Sequence, residues 1–234
     1  MLYFSDRVVA YIMPKKTFNN LSSERQSEIL EVAYREFILN DYQSASLSNI
    51  IKKLSLAKGS FYRYFNSKKE LYFYLLEKST RERCDTLDKR LHDPEIYLYQ
   101  LMIINWQDKI EFERQHPLES AFQYRVFRER YNEDLGDMEI QMKREIMQKI
   151  KQIITTRFSE DIRSDMELDL IAYHIIQAQV GMYDYLAIRF GDDLLENIRT
   201  GKPLYSLHKT EFEKLIGDFS KLIRNGISNK KIEK

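Results

Sequence analysis

The sequence predicts an all-α protein of about nine helices, and three observations carry that reading. Glycine and proline are few, seven and four in 234 residues. Apolar residues make up 43% of the chain and recur at three- and four-residue spacing. No stretch alternates apolar and polar residues long enough to build a sheet.

The elements follow in order. Ser23 with Gln26 reads as a capping box opening a helix at about 23–39, whose Ile29, Leu30, Ala33, Phe37 and Ile38 share a side. Asn40 and Asp41 end it. Ser46 then caps a short helix with Leu47, Ile50, Ile51 and Leu54 on one face, and Ser55-Leu56-Ala57 interrupts before KGSFYRYF, residues 58–65. Three helices follow at 67–91, 94–115 and 117–131. Asp93 and Pro94 open the second, Pro117 opens the third at a position where a missing N–H costs nothing, and Gly136 closes the series. Met138, Met142, Ile146, Ile150, Ile153 and Ile154 mark 137–158, and Ile171, Ile175, Ala178, Met182 and Leu186 mark 166–190. GDDLLENIRTGKPLYS reads as a loop broken by Gly201 and Pro203. Phe212, Leu215, Ile216, Phe219, Leu222 and Ile223 form a last helix at about 208–226, followed by a polar tail, 227–234.

Composition narrows the class. No apolar run approaches the roughly 18–20 residues that cross a bilayer. The opening MLYFSDRVVAYI lacks a basic start and is interrupted by Asp6 and Arg7, unlike a signal peptide, and Met13 in MPKKTF reads as a natural start. Residues 1–20 are expected to be a flexible extension and the chain to be cytoplasmic. Cys84 is the single cysteine, a bystander on a charged helical background. His92, His116, His174 and His208 lie at least 24 residues apart, so no local metal motif exists and no metal or cofactor is expected. Without a nucleophile, base or metal set, an enzyme is not expected. Charge is uneven: residues 1–70 hold 11 Lys/Arg against 7 Asp/Glu, while the remainder holds 26 against 29.

The basic end contains the most specific feature. At the helical pitch, Phe61 and Phe65 fall about 40° apart and define an inward face toward Leu47, Ile50, Leu54 and Phe37. Tyr62 and Tyr64 flank it, and Gly59, Ser60 and Arg63 lie opposite, toward solvent. A short helix with a slim, basic outer side, joined to another by a three-residue turn, has the layout of a helix-turn-helix whose second helix enters the major groove. The same features describe a tight helical corner with a solvated charged face, so the residues alone leave both readings open.

The run from Arg25 to Leu71 resembles the DNA-binding domain of the tetracycline-repressor (TetR) family of bacterial regulators. Ile29, Leu30, Ala33 and Phe37 match the family's Ile-Leu-x-x-Ala-x-x-x-Phe, and Gly59, Tyr62, Phe65, Lys68 and Leu71 match Gly-x-x-Tyr-x-x-Phe-x-x-Lys-x-x-Leu. Two departures stand out. Ser55 occupies a turn position usually held by glycine, so it is expected to bear a left-handed backbone; Ala57 lacks the capping hydroxyl common there, at a cost of about 1 kcal/mol.

The resemblance implies a helix-turn-helix DNA-binding domain at 21–66, with the motif at about 46–65, and a helical-bundle ligand-sensing and dimerisation domain at 67–226. It implies a homodimer on near-palindromic double-stranded DNA, with half-sites about 34–36 Å apart or a multiple of that. Ser46, Ser48, Lys52, Ala57, Lys58, Gly59, Ser60, Tyr62, Arg63, Tyr64 and Lys68 are the DNA-binding candidates. Trp106, Tyr124, Phe127, Tyr131, Tyr173 and Gln177 are candidates for lining a pocket for a small-molecule effector, though each taken singly reads more readily as plain core. Ile175, Ala178, Met182, Phe212, Leu215, Phe219 and Leu222 are candidates for the dimer interface. The expected function is a repressor released from its operator by that effector, with a helical interaction module that binds no DNA as the alternative.

Overall fold

The computed structural model describes residues 14–90, 96–129, 131–191, 193–202 and 204–227. Through these run eleven α-helices and no strand; one isolated antiparallel bridge joins Asn132 and Gly136. In chain order they are α1 (Lys16–Asn19), α2 (Ser23–Leu39), α3 (Leu47–Lys53), α4 (Lys58–Phe61), α5 (Lys68–Arg90), α6 (Leu98–Gln115), α7 (Pro117–Val126), α8 (Met138–Arg157), α9 (Leu168–Phe190), α10 (Leu194–Thr200) and α11 (Lys209–Ile227). Among the described residues no helix is long and apolar enough to cross a membrane.

The periodic helices lie where spacing predicted them, and the differences are local. Ser22, not Ser23, caps α2, accepting from the Arg25 N–H at 3.3 Å; the Gln26 amide instead donates to the Leu21 carbonyl at 3.0 Å. The aromatic helix is a single turn, α4, continuing as turns through Tyr64 rather than as helix to residue 65. The helix expected over 117–131 stops at Val126. Two short helices were missed: α1, in the stretch expected to be a flexible extension, and α10, in the expected loop. Asp193 caps α10 and Gly201, at φ 71°, closes it. The Asp93–Pro94 start, the opening residues to Met13, the tail from 228 on, and the side chains of Cys84 and His92 fall outside the described residues.

The chain divides into two compact units that do not follow the expected boundary near residue 66. The first takes the described residues of Tyr3–Glu82 together with His116–Met142, so α7 belongs with the helix-turn-helix. A cluster of rings runs through its core, among aliphatic side chains such as Ile29, Ile50 and Leu75. Phe122 of α7 stands edge-on to Tyr34 at 5.4 Å and to Tyr72 at 5.1 Å, and Phe37 meets Tyr72 edge-on at 5.1 Å. Edge-to-face packing places the positive rim of one ring on the negative face of the next, so such a cluster fixes orientation as well as volume.

The second unit takes the described residues of Arg83–Gln115 and those from Lys143 on. Leu98, Leu101, Met102, Ile154, Phe158, Ile171, Ile175, Ile223 and Ile227 form its core, drawn from α6, α8, α9 and α11 and the turn after α8. Within it the buried Glu113 accepts hydrogen bonds from the Tyr183 and Tyr205 hydroxyls and pairs with Lys109 at 2.9 Å. A buried carboxylate needs such partners, because transfer from water without them is costly.

Candidate nucleic-acid interface

Four helices build the candidate surface. Ser46 caps α3 by accepting from the Asn49 N–H at 3.4 Å, and Ile50, Ile51 and Leu54 bury its inner face. The turn to α4 runs through Ser55 at φ 53°, the left-handed backbone that the missing glycine requires here. Ala57 begins α4 with no side-chain cap. Phe61 and Phe65 are fully buried, and Phe65 lies 5.0 Å from Phe18 of α1 and 5.5 Å from Tyr74 of α5. With those two rings inside, Ala57, Gly59, Tyr62 and Arg63 are left exposed, Ser60 and Tyr64 half-buried. Ser48 and Lys52 are exposed on α3.

Glu36, invisible to any motif, organises this arrangement. It is 2% exposed, yet its carboxylate accepts from the Ser46 backbone N–H at 3.1 Å and the Asn49 amide at 3.2 Å, and pairs with Lys53 at 3.3 Å. One side chain of α2 thus satisfies a backbone donor at the start of α3 and ties both its ends to the core. Its only sequence signal is an acidic residue next to the apolar Phe37.

Lys68 departs from its expected role as a source of phosphate charge. Its ammonium donates to the carbonyls of Tyr42 at 2.7 Å, Gln43 at 3.3 Å and Ala45 at 3.1 Å, and lies 4.4 Å above the Tyr42 ring. An ammonium has three donors, and all three are used to pin the turn between α2 and α3. That turn is held from the other side too: the Tyr42 N–H donates to buried Glu129 at 3.0 Å, and Tyr72 donates to the same carboxylate at 3.4 Å. Burial is the main cause that raises the Glu129 carboxyl above the ordinary carboxylate range, with the Tyr42 N–H working against it.

Residues 29–75 match the family described as "Bacterial regulatory proteins, tetR family". That match covers the helix-turn-helix and the start of α5, about a fifth of the chain. The HTH-type transcriptional regulator YvdT of Bacillus subtilis (strain 168) is 34% identical over 92 residues, 39% of this chain and 45% of that protein. A second such regulator of the same organism, YhgD, is 23% identical over 147 residues, 63% of this chain and 72% of that protein. The chain therefore spans under half of the first of these relatives. The crystal structure of a TetR family transcriptional regulator from Chloroflexus aurantiacus J-10-FL shares the fold at a TM-score of 0.73, with 22% identity, over 93% of this chain and all of that one.

Outside the tetR-family domain the expected sites fare less evenly. The six pocket candidates divide, three to each unit: Tyr124, Phe127 and Tyr131 in the first, Trp106, Tyr173 and Gln177 in the second. Tyr131 is 67% exposed and Tyr173 48%, so neither lines an enclosed space within its own unit. Trp106 is buried beside Phe219 at 6.2 Å. The second unit has a cavity of about 400 Å³ edged by Tyr97, Tyr99, Met102, Asp161 and Arg224, none of them among the candidates. Of the interface candidates, Ile175, Met182 and Phe212 are buried in their own unit, while Ala178, Leu215 and Phe219 are half-buried. Only Leu222 of these, 72% exposed, faces outward; on α9 Leu170, Tyr173, Tyr185, Ile188 and Phe190 are exposed, and the strongest periodicity passed over them.

Proposed function

We propose that this protein is a transcriptional regulator that reads a near-palindromic operator with α4 of each subunit of a homodimer, acting as a repressor released by a small-molecule effector. One observation carries the DNA reading. Glycine inside a helix costs about 0.5–1 kcal/mol relative to alanine, so it needs a reason. At Gly59 the folded chain supplies none: an added Cβ would meet nothing within 4 Å, and the backbone there is not left-handed. The slimness of α4 serves an outside partner that must approach the backbone, as base edges in a major groove do. Tyr62 and Arg63 just after α4, and Ser48 and Lys52 on α3, are exposed as well. Lys68, occupied by three carbonyls, acts by shaping the turn and not by touching phosphate.

The dimer reading draws on the stripe Leu170, Tyr173, Gln177, Gly181 and Ile188 along α9, with Leu222 on α11. Gly181 again has open space around it, which lets a second backbone come close. The relatives named as HTH-type transcriptional regulators support the assignment, and the effector part rests on the family resemblance.

Selection of bound sequences from a random duplex library tests the reading. The expected result is an enriched inverted repeat, bound by two subunits, with affinity falling steeply as salt rises because counterions are released at each neutralised phosphate. Arg63→Ala should lower affinity for that sequence by about tenfold or more without changing the thermal midpoint. Failure of any sequence to enrich would remove the reading.

A further inference from the structure

The short segment ahead of α2 makes contacts that neither the motif nor the family match accounts for. Three successive carbonyls leave the end of α4, those of Tyr62, Arg63 and Tyr64, and each is taken by a residue of this segment. The Lys15 ammonium donates to the Tyr62 carbonyl at 2.7 Å, the Thr17 hydroxyl to that of Arg63, and the Lys15 backbone N–H to that of Tyr64 at 3.0 Å. Phe18 completes the attachment. It is fully buried, 5.0 Å from Phe65, 5.8 Å from Tyr74 and 6.1 Å from Tyr64.

Carbonyls at the end of a helix have no intrahelical partner and are ordinarily left to water or to a capping turn. Here α4 is one turn long, so its own hydrogen bonds hold little of it. The amides of Arg63, Tyr64 and Phe65 are bonded only to the carbonyls of Ser60 and Phe61. A four-residue helix is far below the length that is stable by itself, and its orientation depends on what grips it. The inner face is gripped by the rings; the outer end, where Tyr62 and Arg63 project, is gripped by residues 15–18.

We propose that residues 15–18 are a positioning clamp for the recognition turn: Thr17 and Lys15 set the direction in which Tyr62 and Arg63 are presented, without contacting DNA themselves. The proposal rests on the DNA-binding reading of α4. Loss of the clamp should weaken recognition of a specific sequence, which needs fixed side-chain directions, and leave phosphate-driven binding to unrelated DNA as it was.

Thr17→Val removes the hydroxyl and keeps the shape; Lys15→Met removes the ammonium and keeps the stem. In the full chain, hydrogen exchange at the Arg63, Tyr64 and Phe65 amides should speed up by about tenfold in Thr17→Val, with exchange in α9 and α11 unchanged. Affinity for the selected operator should fall by about tenfold, affinity for an unrelated duplex of equal length should not change, and Thr17→Ser should restore both wild-type values. Lys15→Met should repeat the exchange result and leave the salt slope of operator binding unaltered; a slope smaller by about one would make Lys15 a phosphate contact and overturn its part in the clamp. Unchanged exchange at residues 63–65, or equal loss on both DNAs, would overturn the proposal. If the wild-type protein selected no sequence, the DNA reading would fall, and the exchange measurements would still decide whether the segment holds the turn.

Discussion

The two compact units reach their packing by different chemistry. The first is held by interlocked rings, with Phe18, Tyr34, Phe37, Phe65, Tyr72 and Phe122 each within about 5–6 Å of another ring centre. The second combines an aliphatic cluster from four helices, in which Phe158 is the one ring, with separate ring pairs such as Tyr205 and Phe212 at 4.9 Å. Rings have few rotamers and directional contacts, whereas leucine, isoleucine and methionine adapt to a range of helix positions. A unit that must present a four-residue helix in a fixed direction benefits from the first kind of core. An aliphatic cluster gives its helices more latitude in how they pack.

The largest test of that contrast is Phe122→Ala. It removes the ring that joins Tyr34, Phe37 and Tyr72, and should cost about 3–5 kcal/mol in chemical denaturation. Operator binding should be lost with it. Ile171→Ala in the other core should cost about 2–5 kcal/mol while leaving exchange protection in α2 and α3 intact. Equal loss of protection in both variants would break the distinction between the units.

Glu36→Ala comes next. It strands the Ser46 N–H and the Asn49 amide and should destabilise by about 1–3 kcal/mol, read as a lower denaturation midpoint and faster exchange at the start of α3. A neutral result would mean that water replaces the carboxylate and that rings alone hold α3.

Gly59→Ala sharpens the contrast between stability and recognition. Space is open around the position, so the substitution should raise stability by up to about 1 kcal/mol through helix propensity and lower operator affinity at the same time. A variant more stable and equally tight would remove the argument that glycine serves a partner.

The smallest effect concerns pH. The Glu129 carboxyl is raised in the folded protein by burial. Its protonated form is therefore favoured by folding, and that contribution is fully present below the ordinary carboxylate value. It is lost as pH rises through the raised folded value. Glu129→Gln, which keeps an acceptor for the Tyr42 N–H, should gain stability relative to the wild type as pH is raised from about 4 to 7. A difference in thermal midpoint that stays flat or runs the other way would show that the ionised carboxylate is satisfied where it lies.

What could be read from the chain differs between the same two regions. Periodicity located α2, α3, α8, α9 and α11 within a few residues, because a helix buries a face and that face is written at three- and four-residue spacing. The turn departures were legible as well: Ser55 does carry a left-handed backbone and Ala57 does begin α4 without a side-chain cap. Partners distant in sequence were not legible. Nothing near Glu36 or Lys68 in the sequence names the groups they meet, and nothing in KKTF distinguished a docked segment from a loose end. The interface candidates on α9 divide for a related reason, since Ile175 and Met182 of its strongest apolar stripe are buried within their own unit.

By itself the sequence determined an all-helical chain, the inward pair Phe61 and Phe65, and a tetR-like motif, all of which depend on spacing between residues near one another in the chain. Only the tertiary structure decided that α7 joins the helix-turn-helix unit, that Glu36 and Lys68 spend their charges on backbone groups, and that residues 15–18 grip the end of α4. The physical reason is that helical spacing records which side of a segment avoids water but not which distant donor or ring it meets there; that is chosen when the units pack.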